Sequence, residues 1–303
     1  MGKIISVSSR SHPGVTSVFT HLSKTIGSTH YFAEDIDVVP ECEIALFGAW
    51  TNKYNTLLPT VKGKRAIVWT SSTWQQESTP NMVEVELFEQ ILNLVNTGKI
   101  DYLFIGDKDL AEVHKSERIL YFPYPLAFTE YPIKNIHNNS FGLFTVEHFR
   151  KNRLNQVNAI KLARKSEPTI SLITNCYNSP DVTYTGWLDK EKYETTLSQI
   201  EFGLSVMPIE SFCYSFAELM MRGIPTICSK RIGDNFNIPH SFFLKLAVCD
   251  TDSSVEISQR ITYLSSLLPI QREELSKECR EFMCDFSEER KKEVEQFFLN
   301  LPS

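Results

Sequence analysis

Short runs of β-branched and aromatic residues alternate with helix-length amphipathic segments along most of the 303 residues. This alternation predicts parallel strands joined by right-handed helical crossovers, and it excludes most all-α and all-β folds. The predicted strands are residues 4–8, 43–47, 66–70, 102–105, 119–122, 140–146, 169–174, 182–185, 202–207, 225–228 and 246–249. The predicted helices are residues 16–26, 82–97, 108–115, 152–165, 190–200, 214–222, 254–267, 271–283 and 287–300.

A proline-rich stretch at residues 123–139 interrupts the alternation and is typical of a linker. A single packed core stops growing at roughly 250–300 residues, so two domains are expected. We therefore predict an α/β protein with two Rossmann-like domains that face a central cleft. The predicted parts are an N-terminal domain (1–131), a C-terminal domain (132–285) and a charged C-terminal helix (286–303), which could cross back to the first domain.

Composition and charge exclude several classes of protein. The chain has 31 Lys and Arg against 37 Asp and Glu, and its net charge of −6 argues against a general nucleic-acid binder. No stretch approaches the roughly 20 apolar residues of a membrane span. The seven cysteines and seven histidines show no zinc-ligand spacing, so no metal site is expected. The N-terminus lacks the pattern of a signal peptide, and we expect a cytoplasmic protein.

The most informative segment is residues 207–226, where a strand is predicted to end at Pro208 and a helix to begin near Cys213. The unpaired backbone N–H groups at the start of such a helix can bind an anion. Glu210 precedes the helix and Glu218 lies eight residues later, within it. Carboxylates accept hydrogen bonds from sugar and ribose hydroxyls, so both glutamates are candidate ligand-binding residues.

This segment resembles the donor-binding signature of retaining GT-B glycosyltransferases, especially family four. Their pattern is Glu-Ser/Gly-Phe-Gly-x-x-x-x-Glu-Ala-Met-Ala-x-Gly-x-Pro-Val. The matching residues are Glu210, Ser211, Phe212, Glu218, Met220, Gly223 and Pro225. The sequence departs from the pattern at Cys213, where the family often has Gly, and at Leu219 and Met221, where it has Ala.

The resemblance extends over residues 140–286. Residues 182–188, with Gly186 and Trp187, look like a strand and turn of the family, residues 232–234 stand where it has a Gly-rich turn, and residues 248–250 resemble its late Asp segment. Lys151 matches the lysine of the family's Gly-Arg-x-x-x-x-Lys-Gly turn, but the family arginine falls on Val146. Either Arg150 or Arg153 substitutes for that arginine, or one diphosphate contact is lost.

The N-terminal domain resembles the family less closely. Residues 9–16 follow the first strand, where the family has a Pro-Gly-Gly turn near the acceptor, and only Gly14 is present here. Gly14 and His12 are the acceptor-side candidates, and the alternatives are a tight turn without a ligand and a solvent-facing histidine. Residues 69–74 form a polar, aromatic loop that could bind a sugar acceptor, although Trp69 fits the core better.

The resemblance implies transfer of a sugar from a nucleoside-diphosphate sugar, UDP- or GDP-linked, with retention of anomeric configuration and without a metal or another cofactor. Glu210 and Lys151 are the implied catalytic residues: Glu210 grips the donor sugar, and Lys151 holds the diphosphate. Glu218 would bind the ribose hydroxyls. The remaining donor-binding candidates are Ser211, Phe212, Cys213, Tyr214, Arg150, Gly186 and Trp187.

The acceptor is left open among a glycan, a lipid-linked sugar and a protein. Two other functions also remain open. One is a degenerate, non-catalytic GT-B subunit that supports a partner enzyme, which the loss of the family arginine and of one N-terminal glycine favours. The other is a nucleotide-sugar epimerase of similar architecture, which the Glu-Ser-Phe sequence at residues 210–212 fits less well.

Overall fold

The computed structural model describes residues 2–48, 50–71, 83–132, 136–145 and 149–302. The chain divides into two compact units. The first unit comprises Met1–Phe128 and Phe286–Ser303, and the second comprises Thr129–Asp285. Each unit is built on a six-stranded sheet in which all paired strands are parallel, which confirms the predicted α/β class.

The sheet of the first unit has the strand order β2-β1-β3-β4-β5-β6. Its strands are β1 (Ile4–Ser8), β2 (Thr29–Phe32), β3 (Ile44–Gly48), β4 (Lys64–Trp69), β5 (Tyr102–Ile105) and β6 (Ile119–Tyr121). Its helices include α1 (Pro13–Ile26), α2 (Tyr54–Leu57), α3 (Val83–Asn96) and α4 (Lys108–Val113). Strands β1, β3 and β5 are buried along their whole length, as expected for inner strands of a sheet covered on both faces.

The sheet of the second unit has the order β12-β11-β10-β7-β8-β9. Its strands are β7 (Ser140–Leu143), β8 (Ser171–Thr174), β9 (Thr183–Tyr184), β10 (Phe202–Ser205), β11 (Thr226–Ser229) and β12 (Ala247–Val248). Its helices include α5 (Arg153–Ala163), α6 (Lys190–Leu197), α7 (Tyr214–Met221), α8 (Lys230–Asn235), α9 (His240–Leu246) and α10 (Ser254–Ser266), together with a 3₁₀ turn at Phe149–Lys151.

The last helix, α11 (Pro269–Leu299), is continuous where the sequence predicted two helices, at residues 271–283 and 287–300. The prediction was wrong because residues 284–286 contain neither Gly nor Pro, so nothing in the backbone interrupts the helix. Its C-terminal part packs in the first unit, where Phe297 lies 4.9 Å from Phe104 and 5.4 Å from Phe122, centroid to centroid.

Four further predictions need correction or lie outside the described residues. The Gly-rich turn expected at residues 232–234 lies inside α8, whose first turn is capped by the Ser229 side chain accepting from the Ile232 N–H. Strand β7 ends at Leu143, before the predicted end at residue 146. Val146, the position of the family arginine, and residues 72–74 of the polar loop lie outside the described residues.

Candidate functional site

The loops after strands β7 and β10 meet at the carboxyl edge of the second sheet, because these two strands are parallel neighbours. The Lys151 ammonium donates a hydrogen bond to Glu210 Oε2 and forms an ion pair with it. Arg150 Nη1 lies 3.7 Å from the same carboxylate oxygen. The Glu210 side chain is only 10% exposed, so this cluster of one carboxylate and two cations is largely shielded from water.

Asn152 fixes the chain immediately after Lys151. Its backbone has a left-handed φ of 53°, which Asn tolerates better than most residues. Its Nδ2 donates to the carbonyl oxygens of Val206, at 3.1 Å, and Thr251, at 2.6 Å. Asn152 therefore connects the start of α5 to the segments that follow strands β10 and β12.

Gln156, one turn along α5, completes this support and was not identified from the sequence. Its side-chain oxygen accepts from the Val206 N–H at 3.0 Å, and its Nε2 donates to the Lys151 carbonyl at 3.0 Å. Gln156 is fully buried. A buried amide whose oxygen and nitrogen are both hydrogen-bonded holds the two loops in a fixed register. The sequence carries no motif that distinguishes this glutamine from an ordinary helix residue.

The loop that carries Glu210 is fastened from the other side by Asn235 of α8, which donates to the carbonyls of Ser211, at 2.9 Å, and Glu210, at 3.3 Å. The Phe212 ring packs against Phe236 with centroids 4.5 Å apart. Phe212 thus belongs to the core, and its contact with a ligand stays a prediction.

Cys213 is the N-cap residue of α7, and Tyr214 is the first helical residue. No side-chain hydrogen bond caps this helix. Cys213 is buried, and burial followed by the negative charge of Glu210 raises the pKa of its thiol. The neutral thiol leaves the positive end of the helix dipole uncompensated by this residue.

Glu218 has a separate set of partners on α6 and α7. The Tyr193 hydroxyl donates to its Oε2 at 3.4 Å, and Arg222 Nη2 donates to its Oε1 at 3.2 Å. Arg222 also pairs with Glu194 at 2.8 Å. Burial raises the pKa of Glu218, and the positive charge of Arg222 opposes that shift. The sequence indicated Glu218, and the i,i+4 spacing of Arg222 could have indicated its ion-pair partner, whereas nothing local indicated Tyr193.

The remaining donor-side candidates lie at strands β8 and β9. Arg153 Nη1 donates to the Cys176 carbonyl at 2.8 Å, so its side chain extends to the end of β8, whereas Arg150 lies beside Glu210. Gly186 follows β9 with φ of 64°, and the neighbouring Trp187 side chain is 78% exposed. An exposed indole can stack on a planar ring.

The acceptor-side candidates lie in the first unit, at the start of α1. His12 is the N-cap residue and Gly14 is inside the first turn, so the glycine is helical and does not form the tight turn that was the alternative to an acceptor-side role. Both residues are exposed. Nearby, Ser9 Oγ donates to Glu34 Oε1 at 2.5 Å, and this bond lowers the pKa of Glu34. Glu34 was not identified from the sequence.

A cavity of about 340 Å³ in the second unit lies at the opposite edge of the sheet from Glu210. Glu201 and Pro225, which precede β10 and β11, are among its lining residues, as is Arg222. Ligands of open parallel sheets bind beyond the carboxyl ends of the strands, so we do not assign a donor to this cavity.

Within the described ranges, no helix is long and apolar enough to cross a membrane. Across the same part of the chain, no three His, Cys, Asp or Glu side chains cluster as metal ligands. No protein-family model and no curated protein matches the sequence.

Solved structures resemble this fold closely. The fold matches a variant of TarM from S. aureus with a TM-score of 0.66 at 12% identity, over 85% of this chain and 55% of the TarM chain. It matches sucrose-phosphate synthase from Thermosynechococcus elongatus with a TM-score of 0.65 at 13% identity, over 99% of each chain. It matches the pneumococcal O-GlcNAc transferase GtfA with a TM-score of 0.56 at 12% identity, over 85% of this chain and 56% of GtfA.

The fold is of the GT-B type. The chain spans about half the length of TarM and GtfA, but nearly the full length of the compared sucrose-phosphate synthase chain. At 12–13% identity these likenesses show the fold alone.

Proposed function

We propose that this protein is a glycosyltransferase that moves a sugar from a nucleoside-diphosphate sugar to a hydroxyl-bearing acceptor. The observation that carries the proposal is the Lys151–Glu210 pair, which lies at the carboxyl edge of a GT-B sheet immediately before the start of α7. A cation and a helix N-terminus suit a diphosphate, and a shielded carboxylate suits sugar hydroxyls.

Lys151, Arg150 and the N–H groups at the start of α7 would bind the donor diphosphate. Glu210 keeps the Lys151 ammonium at this edge, and a diphosphate oxygen would replace the carboxylate as its partner. Glu210 would then accept hydrogen bonds from the donor sugar. Because Glu210 lies directly before the helix, a sugar attached to a diphosphate at the helix start falls within its reach.

The nucleoside would extend away from the diphosphate toward α6 and the turn after β9. Glu218 would accept hydrogen bonds from the ribose hydroxyls. The indole ring of Trp187, which follows Gly186, would stack on the base. UDP is the first nucleotide to test, with GDP as the alternative. The TarM variant and GtfA were solved with UDP, and a trehalose-phosphate synthase of the same fold is described as UDP-forming.

In the proposed reaction the bond between the anomeric carbon and the diphosphate oxygen breaks. The acceptor oxygen bonds to that carbon with retention of configuration, and the hydroxyl proton is released. Lys151 and Arg150 would offset the negative charge that develops on the leaving diphosphate. These fixed positive charges lead us to propose that the reaction needs no divalent cation.

The acceptor would be a glycan, a lipid-linked sugar or a protein, and the proposal assigns it to the first unit. His12, Gly14 and the Ser9–Glu34 pair are exposed or polar groups at the carboxyl end of β1, the edge where this class of sheet binds ligands.

A thermal-shift screen against UDP, GDP and their sugar conjugates, with EDTA or with Mg²⁺, tests the proposal. A ligand at about 100 times its dissociation constant should stabilise the protein by about 2.7 kcal/mol. We expect the same shift in EDTA, and its loss in Lys151→Ala. Release of free nucleotide from the stabilising donor is the second readout. No stabilisation by any conjugate would contradict the proposal, and binding without turnover would favour the non-catalytic subunit.

A further inference from the structure

Arg222 stands out among the cations of the second unit because three groups surround it. It pairs with Glu194 at 2.8 Å and with Glu218 at 3.2 Å, and its guanidinium stacks on the Tyr131 ring at 3.6 Å. Its side chain is only 10% exposed. Nothing in the proposed chemistry needs an arginine here, so its role has to be sought in the residue it holds.

Glu218 is the residue that Arg222 and Tyr193 hold together. Arg222 binds one carboxylate oxygen and the Tyr193 hydroxyl binds the other. Tyr193 is in turn fixed by Phe144, whose ring meets it edge-on with centroids 5.5 Å apart. A glutamate on a helix surface ordinarily samples several rotamers. Two hydrogen bonds, one from the end of its own helix and one from α6, restrict Glu218 to one.

The number of acceptor positions left on Glu218 fits a vicinal diol. An ionised carboxylate has about four lone-pair sites, two on each oxygen. The two protein donors occupy one site on each oxygen. One site therefore remains on each oxygen, which is the number that the 2′- and 3′-hydroxyls of a ribose require.

We propose that Arg222 and Tyr193 are positioning residues that hold Glu218 ready for the ribose hydroxyls of the nucleotide. The inference rests on the proposed function, since it concerns the same donor. The pair would contribute affinity by removing, before binding, the rotamer freedom that Glu218 would otherwise lose. Tyr131 and Glu194 contact Arg222 and keep its guanidinium in place.

Charge supports this arrangement. Burial raises the pKa of Glu218, and the nearby Glu194 acts in the same direction, whereas Arg222 and Tyr193 favour the ionised form. The ionised carboxylate is the stronger acceptor for a hydroxyl. Burial also raises the pKa of Tyr193, so its hydroxyl keeps the proton that it donates.

The test compares binding of UDP and of 2′,3′-dideoxy-UDP by titration calorimetry. The variants are Tyr193→Phe and Arg222→Met. Tyr193→Phe removes one hydroxyl and keeps the ring, so it should fold, and it should weaken UDP by about 2- to 10-fold. Arg222→Met should weaken UDP by about tenfold or more, because it removes a charged hydrogen bond. Neither variant should change the affinity for the dideoxy nucleotide.

Matched controls are Tyr263→Phe and Arg164→Met. Tyr263 is on the exposed side of α10, and Arg164 follows α5 and pairs with Asp181. Both controls should bind UDP like the parent. Arg222→Lys should bind UDP with intermediate affinity, because a lysine keeps the charge but cannot reproduce the two-sided geometry of a guanidinium.

The outcomes separate the inference from the function on which it rests. If Tyr193→Phe and Arg222→Met weaken both nucleotides equally, or neither, while Glu218→Ala weakens UDP alone, the positioning role is wrong and the ribose assignment stands. If the parent and all variants fail to bind UDP, the UDP assignment fails and this inference fails with it. Loss confined to UDP in both variants supports the inference.

Discussion

The Glu210 carboxylate has two competing sets of partners in this account: Lys151 and Arg150 in the structure, and the donor sugar in the proposed complex. A carboxylate this close to the diphosphate site repels a diphosphate, yet it keeps the cations from pairing elsewhere. We therefore expect Glu210 to weaken nucleotide binding but to speed sugar transfer. A single substitution of Glu210 measures both effects.

Glu210→Gln should tighten UDP binding by about 2- to 10-fold, because it removes the carboxylate that competes with the diphosphate for Lys151, an effect of about 0.5–1.5 kcal/mol. The same variant should transfer sugar about 10²-fold more slowly, because the donor sugar is no longer held for attack. Calorimetry and steady-state kinetics measure the two effects. A variant that loses UDP affinity would contradict the assignment of Lys151 to the diphosphate.

His21 provides a pH-dependent test in the first unit. Its Nδ1 accepts from the Ala127 N–H at 3.1 Å, and burial, followed by the charge of Lys24, lowers its pKa to about 4. The folded protein holds His21 neutral, and its pKa there is below the value of about 6.5 in the unfolded chain. The contribution of His21 to the free energy of unfolding is therefore complete above pH ~6.5 and is lost as the pH falls toward 4.

The parent should therefore lose up to about 3 kcal/mol more unfolding free energy than His21→Asn between pH ~6.5 and pH ~4. Asn keeps an acceptor for the Ala127 N–H but does not titrate. Urea unfolding at a series of pH values measures the difference. Parallel pH curves for the two proteins would show that His21 is not held neutral by the fold.

At the scale of single elements, the start of α5 depends on the left-handed backbone of Asn152. Asn152→Ala should destabilise the protein by about 2–4 kcal/mol, since it removes three side-chain hydrogen bonds and alanine tolerates the left-handed φ less well than asparagine. Asn152→Gly should recover about 1 kcal/mol of this loss, because glycine accepts the same φ. Equal losses in the two variants, measured by denaturant unfolding, would contradict the role of the backbone.

Strand β10 and helix α7 approach closely at Gly203. A Cβ at this position would meet Leu219 Cδ1 at 2.8 Å and would clash with Thr226 Oγ1. Gly203→Ala should therefore cost about 1–3 kcal/mol. Gly14→Ala is the matched control: Gly14 is helical with no atom within 4 Å of a Cβ, and alanine should stabilise it by about 0.5–1 kcal/mol. A neutral Gly203→Ala would show that α7 can shift.

The sequence predicted best the elements that consist of an uninterrupted run of buried apolar residues. Strand β5 was predicted with its observed bounds, because all four residues are buried. Strand β2 was missed because it is an edge strand whose side chains are partly exposed. Helices α8 and α9, of six and seven residues, were missed, since helical periodicity is a weak signal over so few residues.

The residues of the candidate site also differ in how well the sequence predicted them. Two separate motifs, each of them local in sequence, indicated Glu210 with Glu218 and, independently, Lys151. Gln156 depends on a contact between separate elements, for which a single sequence gives no signal. Arg222 lies four residues after Glu218, a spacing that favours an ion pair on one helix and that could have indicated it. The contact between Arg153 and Cys176 is a further example. The Cys176 carbonyl accepts a hydrogen bond from Arg153, and no pattern in the sequence predicts that bond.

At the scale of the whole molecule, the last residues of the chain contribute to the core of the first unit. Phe298 is buried, with its ring 6.4 Å from Phe104 and 6.2 Å from Phe122, and Tyr102 donates to the Pro302 carbonyl at 2.5 Å. This explains why Phe286–Ser303 groups with the first unit although it follows the second in sequence.

Phe298→Ala should destabilise the first unit by about 3–5 kcal/mol. Hydrogen exchange in β5 should become faster, while exchange in β10 of the second unit should change less. Mass spectrometry of the exchanged peptides measures both strands at once, and Leu299→Ala, at a side chain that is 63% exposed, is the control. Equal acceleration in β5 and β10 would show that the two units unfold as one.

Hydrogen exchange with and without UDP, in EDTA, tests the central claim most directly. The account predicts protection of two segments, residues 149–156 around Lys151 and residues 206–222 around Glu210 and Glu218. It also predicts that Lys151→Ala removes the protection at the same UDP concentration. Protection confined to the first unit, or absent from both segments at saturating UDP, would contradict a nucleotide site in the second unit.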